Sequence, residues 1–210
     1  METLIAHPNF AALRDTLIAR NPDFLQGNSV TAARFPDTWP NLKIHDVKET
    51  VEHQVVTYLA DFSKPELVCE NYFMIRGILD YYADKVRVIL PYFPVGTMER
   101  ISEKGEIATA GYMADILSLL PPGRTHKTSL HTFDIHAPVE RYLFDPFKVN
   151  AELHSTSQLL DLPKDTVIAF PDEGAAKRFG KEYAQYEQII CTKVRKGEER
   201  VISIKEGNPR

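Results

Sequence analysis

The chain has 210 residues, 43% hydrophobic and 26% charged, with a formal net charge of −4. This is ordinary globular composition, enough for one large domain or one domain and part of another. The slight acidity gives no basic field for nucleic acid or an anionic membrane surface. No apolar run approaches the ~18 residues of a membrane span, and Glu2, Arg14, Asp15, Arg20 and Asp23 put charges where a secretory signal or transit peptide would be read. The expectation is a cytoplasmic protein in which Cys69 and Cys191 are buried free thiols.

In chain order, Phe10, Leu13, Leu17 and Ile18 recur at helical spacing, so about 9–19 is an amphipathic helix that stops at Asn21-Pro22. Val30–Phe35 and Leu42–Val47 read as short strands around Pro36-Asp37-Thr38-Trp39-Pro40, whose prolines oppose regular pairing. Gln54–Ala60 is a strand and Pro65–Tyr82 a helix with proline in its first turn. A central unit follows: strand Val86–Leu90, polar loop Tyr92–Gly105, helix Glu106–Leu120 ended by Pro121-Pro122-Gly123, strand Thr128–Asp134. Asp145-Pro146 reads as a boundary, giving domains 1–146 and 147–210. Beyond it the pattern predicts a helix at about 150–161, a strand at Thr166–Phe170, and a helix at about 173–184. Strands at Glu187–Val194 and Val201–Lys205 then flank a turn at Lys196-Gly197-Glu198. Strands alternating with helices imply parallel sheets covered on both faces, the second of them unfinished.

Open parallel sheets place ligands outside the carboxyl ends of their strands. Polar clusters follow four predicted strands: Thr97-Met98-Glu99-Arg100, then His136, then Asp172-Glu173-Gly174, then Lys193 with Arg195. Cations for phosphoryl oxygens beside a few metal-binding groups are the inventory of a magnesium–polyphosphate site. Each cluster alone has an ordinary reading: Asp172 as a helix N-cap, Glu99, Arg100 and Glu103 as a surface ion-pair group, Lys193 to Arg200 as a solvated hairpin tip. His7, His45, His53, His126, His131 and His154 read as hydrogen-bonded histidines. There is no GxGxxG after a strand, no GxxxxGK[ST], no GxSxG and no CxxC.

Val88-Ile89-Leu90-Pro91-Tyr92-Phe93, Glu99-Arg100 and Thr132-Phe133-Asp134-Ile135-His136-Ala137 resemble ribose-phosphate pyrophosphokinase (phosphoribosyl pyrophosphate synthetase). So do Phe170-Pro171-Asp172-Glu173-Gly174-Ala175-Ala176-Lys177-Arg178, Cys191-Thr192-Lys193-Val194-Arg195 and Phe35-Pro36-Asp37, in order from about residue 27 onward. Phe93 to Arg100 and Lys205-Glu206-Gly207-Asn208-Pro209 look most like the plant-type, class II branch. The resemblance implies two tandem phosphoribosyltransferase-like (type I) α/β domains, the second incomplete. It also implies transfer of the β,γ-diphosphoryl group of Mg-ATP to the C1 hydroxyl of ribose 5-phosphate, releasing AMP.

By the same resemblance, His136 and Asp172 hold Mg²⁺ or position the ribose, and Glu99 and Arg100 belong to the ATP site, with Arg100 on the phosphates. Phe35 and Asp37 hold the base, from a neighbouring subunit of a homo-oligomer, and Lys193 and Arg195 stabilise the transition state on a mobile loop. Thr38 stands where the family has glycine, and Thr97-Met98 where its commoner branch has Arg-Gln. The loop that binds the ribose 5-phosphate group is expected past Arg210, so the 210 residues are expected to bind Mg-nucleotide weakly and not to turn over alone. A non-catalytic regulatory subunit of such a synthetase is the second reading.

Overall fold

The structure, a computed structural model, describes residues 2–25, 30–196 and 199–208, without the side chains of Leu25, Pro138, Gln158, 193–196 and 199–201. It divides into two compact units, Met1–His154 and Ser155–Arg210, and each is described by itself. The first contains β1 (Glu2–Ala6), a 3-10 turn (Pro8–Phe10), α1 (Ala11–Arg20), β2 (Phe24–Leu25), β3 (Val30–Arg34), β4 (Pro40–Ile44) and α2 (Val47–Thr50). It continues with β5 (Val55–Leu59), α3 (Pro65–Asp80), β6 (Lys85–Leu90), α4 (Thr109–Ser118), β7 (Thr128–Phe133) and β8 (Val149–His154). Its 6-stranded sheet has the order β2-β1-β5-β6-β7-β8 and every pairing in it is parallel. The second unit contains β9 (Val167–Phe170), α5 (Glu173–Phe179), β10 (Glu187–Lys196) and β11 (Glu199–Glu206). Its order is β11-β10-β9, with β9 parallel and β11 antiparallel to β10.

Alternation along the strands sorts side chains between two faces. Ile5, Val56, Tyr58, Val86, Val88, Leu90, Leu130 and Val149 join Met74, Ile75 and Ile78 of α3 and Ala110, Ala114 and Leu117 of α4 in the main core. On the other face Leu4, Ala6 and Leu59 meet Phe10, Leu17 and Ile18 from the α1 region in a smaller cluster. A fully buried Leu or Ile contributes about 1.5–3 kcal/mol, so the face packed on α3 and α4 carries most of the burial. Among the described residues no helix is long and apolar enough to cross a membrane. Cys69 and Cys191 are free, as expected, but half-buried rather than buried.

Several elements differ from the sequence reading. β1 was not expected, although Thr3-Leu4-Ile5-Ala6 is the continuous apolar run of a strand buried on both faces. The helix expected at 150–161 is instead β8 and a short 3-10 turn, Thr156–Leu159. Val149 is buried in the main core with Ala151 and Leu153 packed against it, and Asn150, Glu152 and His154 face the other way, a period of two. β8 therefore closes the first sheet, and the chain divides after His154 rather than at Asp145-Pro146.

Helix α4 begins at Thr109, and Glu106, expected in its first turn, lies in the preceding loop, where its carboxylate accepts hydrogen bonds from the Ser102 and Glu103 backbone N–H groups (2.7 and 3.0 Å). The Glu103 and Ser102 bonds hold its pKa below the usual carboxylate value. Helix α5 ends at Phe179, where Gln188 Nε2 donates to the carbonyls of Gly180 and Tyr183 (2.8 and 3.0 Å). Pro40 does join the β3–β4 pairing, opposite Arg34 at the first position of its strand, where proline is tolerated.

A buried polar network ties the β3–β4 hairpin to the carboxyl edge of the sheet. His7, just past β1, accepts the Asn9 N–H at Nδ1 (3.2 Å), which leaves Nε2 to donate to Glu70 Oε1 on α3 (2.8 Å). The other Glu70 oxygen accepts from Arg34 at the end of β3 (3.0 Å). Alongside, Asn9 donates to Asp61 (2.6 Å), and Asn71 accepts from the Asp61 N–H and donates to the Asp61 carbonyl (3.0 and 2.8 Å). Tyr58 donates its hydroxyl to Asn71 (2.8 Å). Burial first, then the Glu70 and Asp61 carboxylates, push this phenol well above its usual pKa, so it remains a donor. Buried carboxylates are tolerated because their oxygens are matched by donors.

Thr38, in the hairpin turn, has a φ of +74°, a region where β-branched residues are strained. Thr38→Gly is expected to stabilise the first unit by roughly 1 kcal/mol, relief of left-handed strain exceeding the added chain entropy; a lower urea midpoint would contradict it. At Asp61, burial raises the pKa but the Asn9 and Ser63 hydrogen bonds and the His7 interaction outweigh it, so the folded pKa is lowered. That contribution is present above the unfolded value of about 4 and is lost as pH falls through the lower folded value. Asn9→Ala is therefore expected to cost about 1.5–3 kcal/mol at pH ~7, and the difference should narrow below pH ~4. Urea midpoints at both pH values check this, and a gap that stays constant would assign the loss to packing.

Candidate functional site

Because all strands of the first sheet run one way, the residues after β1, β5, β6 and β7 share an edge. They are His7, Asp61, the loop from Tyr92 and the loop from Asp134. The last two loops pack together. Phe93 and Phe144 meet edge to face with centroids 5.8 Å apart, and both are buried with Ile135 in the main core. Such a pair adds about 0.5–1.5 kcal/mol beyond its area.

At Gly96 the two loops approach closely. A Cβ built on it would lie 3.3 Å from His136 Cβ and 3.2 Å from Glu140 Oε2. Glu140 is fully buried and orders the His136 loop, its Oε1 accepting the Ala137 N–H at 2.6 Å. Both loops hold a non-glycine residue in the left-handed region, Val95 within the first at φ +55° and Asp134 at the start of the second at φ +43°. Such strain persists only where surrounding contacts over-determine it. It is not confined to this edge, since Asp46, His53 and Tyr82 also have positive φ in turns elsewhere.

His136 is exposed beside buried Ile135, so the backbone turns the imidazole outward while its neighbour anchors the loop. Glu99 is mostly covered, and its Oε1 lies 3.6 Å from Nε of Arg100, whose side chain is 80% exposed. The structure thus brings the Glu99-Arg100 loop against the His136 loop. Phe35 and Asp37 lie at the hairpin tip. Asp37 Oδ1 accepts the Trp39 N–H (3.2 Å), and Phe35 and Trp39 are 50% and 60% exposed.

Asp172, Lys193 and Arg195 belong to the second unit. Asp172 follows β9 directly and caps α5, its Oδ1 accepting the Ala175 N–H at 2.9 Å. Phe170 pairs with Ile190, and β10 runs on through 193 and 195, opposite Ile202 and Arg200 of β11. Asp172 and the backbone of Lys193 and Arg195 therefore lie at the carboxyl end of the β9–β10 pair. The Lys193 and Arg195 side chains, and the Gly197-Glu198 turn, lie outside the described residues. Glu173 pairs with Lys205 at 2.8 Å, a contact between α5 and β11 not anticipated from sequence.

The His7–Glu70–Arg34 network was also missed: its members are far apart in the chain, and only the parallel topology brings them together. The signal available was a histidine placed just after an unrecognised strand.

No family model matches the chain. Curated relatives do. It is 40% identical over 94% of its length to ribose-phosphate pyrophosphokinase 3, chloroplastic, of Oryza sativa subsp. japonica. It is 37% identical over 96% to ribose-phosphate pyrophosphokinase 3, mitochondrial, of Spinacia oleracea, and 38% identical over 91% to ribose-phosphate pyrophosphokinase 4 of Arabidopsis thaliana. The chain spans 49%, 51% and 58% of those proteins' own lengths. In fold it is similar to the crystal structure of phosphoribosylpyrophosphate synthetase from Mycobacterium smegmatis. There the TM-score is 0.69 at 18% identity, covering 96% of this chain and 66% of that one. The likeness supports the phosphoribosyltransferase-like α/β reading of both units. Over more than nine tenths of its length the chain is thus similar in sequence to ribose-phosphate pyrophosphokinases, and in fold to a phosphoribosylpyrophosphate synthetase.

Proposed function

We propose that this protein is a ribose-phosphate diphosphokinase that moves the β,γ-diphosphoryl group of Mg-ATP to the C1 hydroxyl of ribose 5-phosphate, giving 5-phosphoribosyl 1-diphosphate and AMP. The observation that carries this is the packing of the Glu99-Arg100 and His136 loops on one another at a sheet edge, in a chain 37–40% identical to pyrophosphokinases of this name.

In this reading Arg100, held near Glu99 and reaching into solvent, binds the triphosphate. The aromatic hairpin tip stacks on the base, with Asp37 as its hydrogen-bonding partner. Exposure of Phe35 and Trp39 supports a tip that works in a neighbouring subunit of a homo-oligomer. Lys193 and Arg195 stabilise charge developing on the non-bridging oxygens, the step where fixed cations contribute most. Magnesium keeps several waters and takes only one or two protein groups beside substrate phosphates. The family resemblance assigns His136 and Asp172, one in each unit, to holding that ion or positioning the ribose, with the Asp172 carboxylate the oxygen donor of the two. Bound there, the ion supplies neutralisation of the polyphosphate charge. A cytoplasmic location is part of the same proposal.

The test is AMP formation with and without ribose 5-phosphate, together with equilibrium binding of Mg-ATP. For the 210 residues, about half the length of the curated relatives, weak nucleotide binding without turnover is expected. His136→Ala should raise the magnesium concentration needed for that binding, and an unchanged titration would remove His136 from the site. Gly96→Ala pushes a methyl group against His136 and Glu140. It should cost about 1–3 kcal/mol of stability by overpacking and weaken nucleotide binding at the same time. Full stability with full binding would show that the two loops do not depend on each other.

A further inference from the structure

The face of the first sheet turned away from α3 and α4 carries a second cluster of metal-ligating side chains. In the parallel β7–β8 register His131 pairs with Glu152 and Phe133 with His154. Residues two apart on a strand share a face, so His131, Glu152 and His154 converge, their ligand atoms all within 4.8 Å of one another. We propose that these three side chains bind one transition-metal dication of the Zn²⁺ type, at a site separate from the loops of the proposed nucleotide site.

The geometry fits the ion. His131 Nδ1 lies 3.0 Å from His154 Nε2 and 3.6 Å from Glu152 Oε2. These separations bracket the roughly 3.3 Å between ligands of a tetrahedral zinc with bonds of about 2.0–2.1 Å. The facing nitrogens now share a hydrogen bond, so one carries a proton; metal binding requires that proton to sit on the far nitrogen of its own ring. For His131 this far nitrogen already has a partner, Ser129 Oγ at 3.1 Å, which orients the ring as outer partners of metal-bound histidines do.

The rings are fixed as well. They stack with an 8° interplanar angle and centroids 5.2 Å apart, and the His154 ring also rests on Phe133 at 5.3 Å. The His131 side chain is 15% exposed and that of Glu152 43%, a seated ligand beside an open entry. Two histidines and one carboxylate leave a fourth position for water.

Charge and chemistry select the metal. Lys85 and Arg87 on β6 are close enough to act electrostatically on His131 and oppose any cation there. Arg87 is paired with Glu2, and Glu152 brings its own negative charge. A site with this opposition and two imidazole donors favours zinc, copper or nickel over magnesium, which prefers an all-oxygen shell. Occupancy would clamp β8, the edge strand, to β7.

The test uses the metal-free, untagged 210-residue chain, titrated with Zn²⁺ by calorimetry and with Co²⁺ by visible absorption. One equivalent of Zn²⁺, tetrahedral Co²⁺ bands and a raised thermal midpoint are expected. His154→Phe and Glu152→Gln, each checked for native circular dichroism, should weaken Zn²⁺ binding by at least the 10–100-fold that loss of an outer partner costs. Ser129→Ala, which keeps every ligand, should weaken it about 10-fold, and His126→Ala should leave it unchanged. Absence of stoichiometric binding, or binding that His154→Phe, Glu152→Gln and Ser129→Ala all leave intact, would overturn the site.

Discussion

Parallel strand pairing governs this molecule. Parallel neighbours can be joined only by crossover connections, usually helices, which cover the faces of the sheet and so demand long apolar strand segments. Parallel pairing also sends every strand end to one edge, where loops gather without having to cross the core. Leu4, Ile5, Val86, Val88 and Leu130 meet the first demand as almost fully buried strand residues. The second brings His7, Asp61, the Glu99-Arg100 loop and the His136 loop to a common edge.

Polar burial at that edge follows from the same constraint. A loop leaving a buried strand carries backbone donors and acceptors that need partners, and here side chains supply them. Asn71 serves both the N–H and the carbonyl of Asp61, and Glu140 serves the Ala137 N–H. Glu70 links His7 to Arg34 and thereby joins a hairpin that is no part of the main sheet to α3. Buried networks of this kind fix one arrangement when every member is satisfied. Loops held this way can carry exposed groups such as Arg100 and His136 without themselves being loosely placed.

Much of this was legible in the residues. Helical spacing located α1, α3 and α4, and apolar runs located β5, β6 and β7, because each segment's periodicity agrees with its burial. Three of the polar clusters were legible as residues that follow strands, whereas β10 runs on through Lys193 and Arg195; Asp172 as a helix cap was legible from its neighbours. β1 was missed because a buried central strand has no alternation. β8 was misread because Asn150-Ala151-Glu152-Leu153-His154 has helix formers among its residues, and only burial against the core decides between the periods. That misreading also hid the meeting of His131 with His154, which exists only once Phe133 and His154 are paired in register. Thr38 in a position of positive φ is the structural counterpart of the glycine that the family resemblance places there.

The central claim is that the loops after β6 and β7 act together on one ligand. A double-mutant cycle on Mg-ATP binding by the 210-residue chain, with Arg100→Ala, His136→Ala and the double variant, measures this most directly. If the two side chains share the triphosphate and its cation, their effects should couple by about 0.5–3 kcal/mol. Losses that add to within about 0.5 kcal/mol, or no nucleotide binding by the unaltered chain, would contradict it.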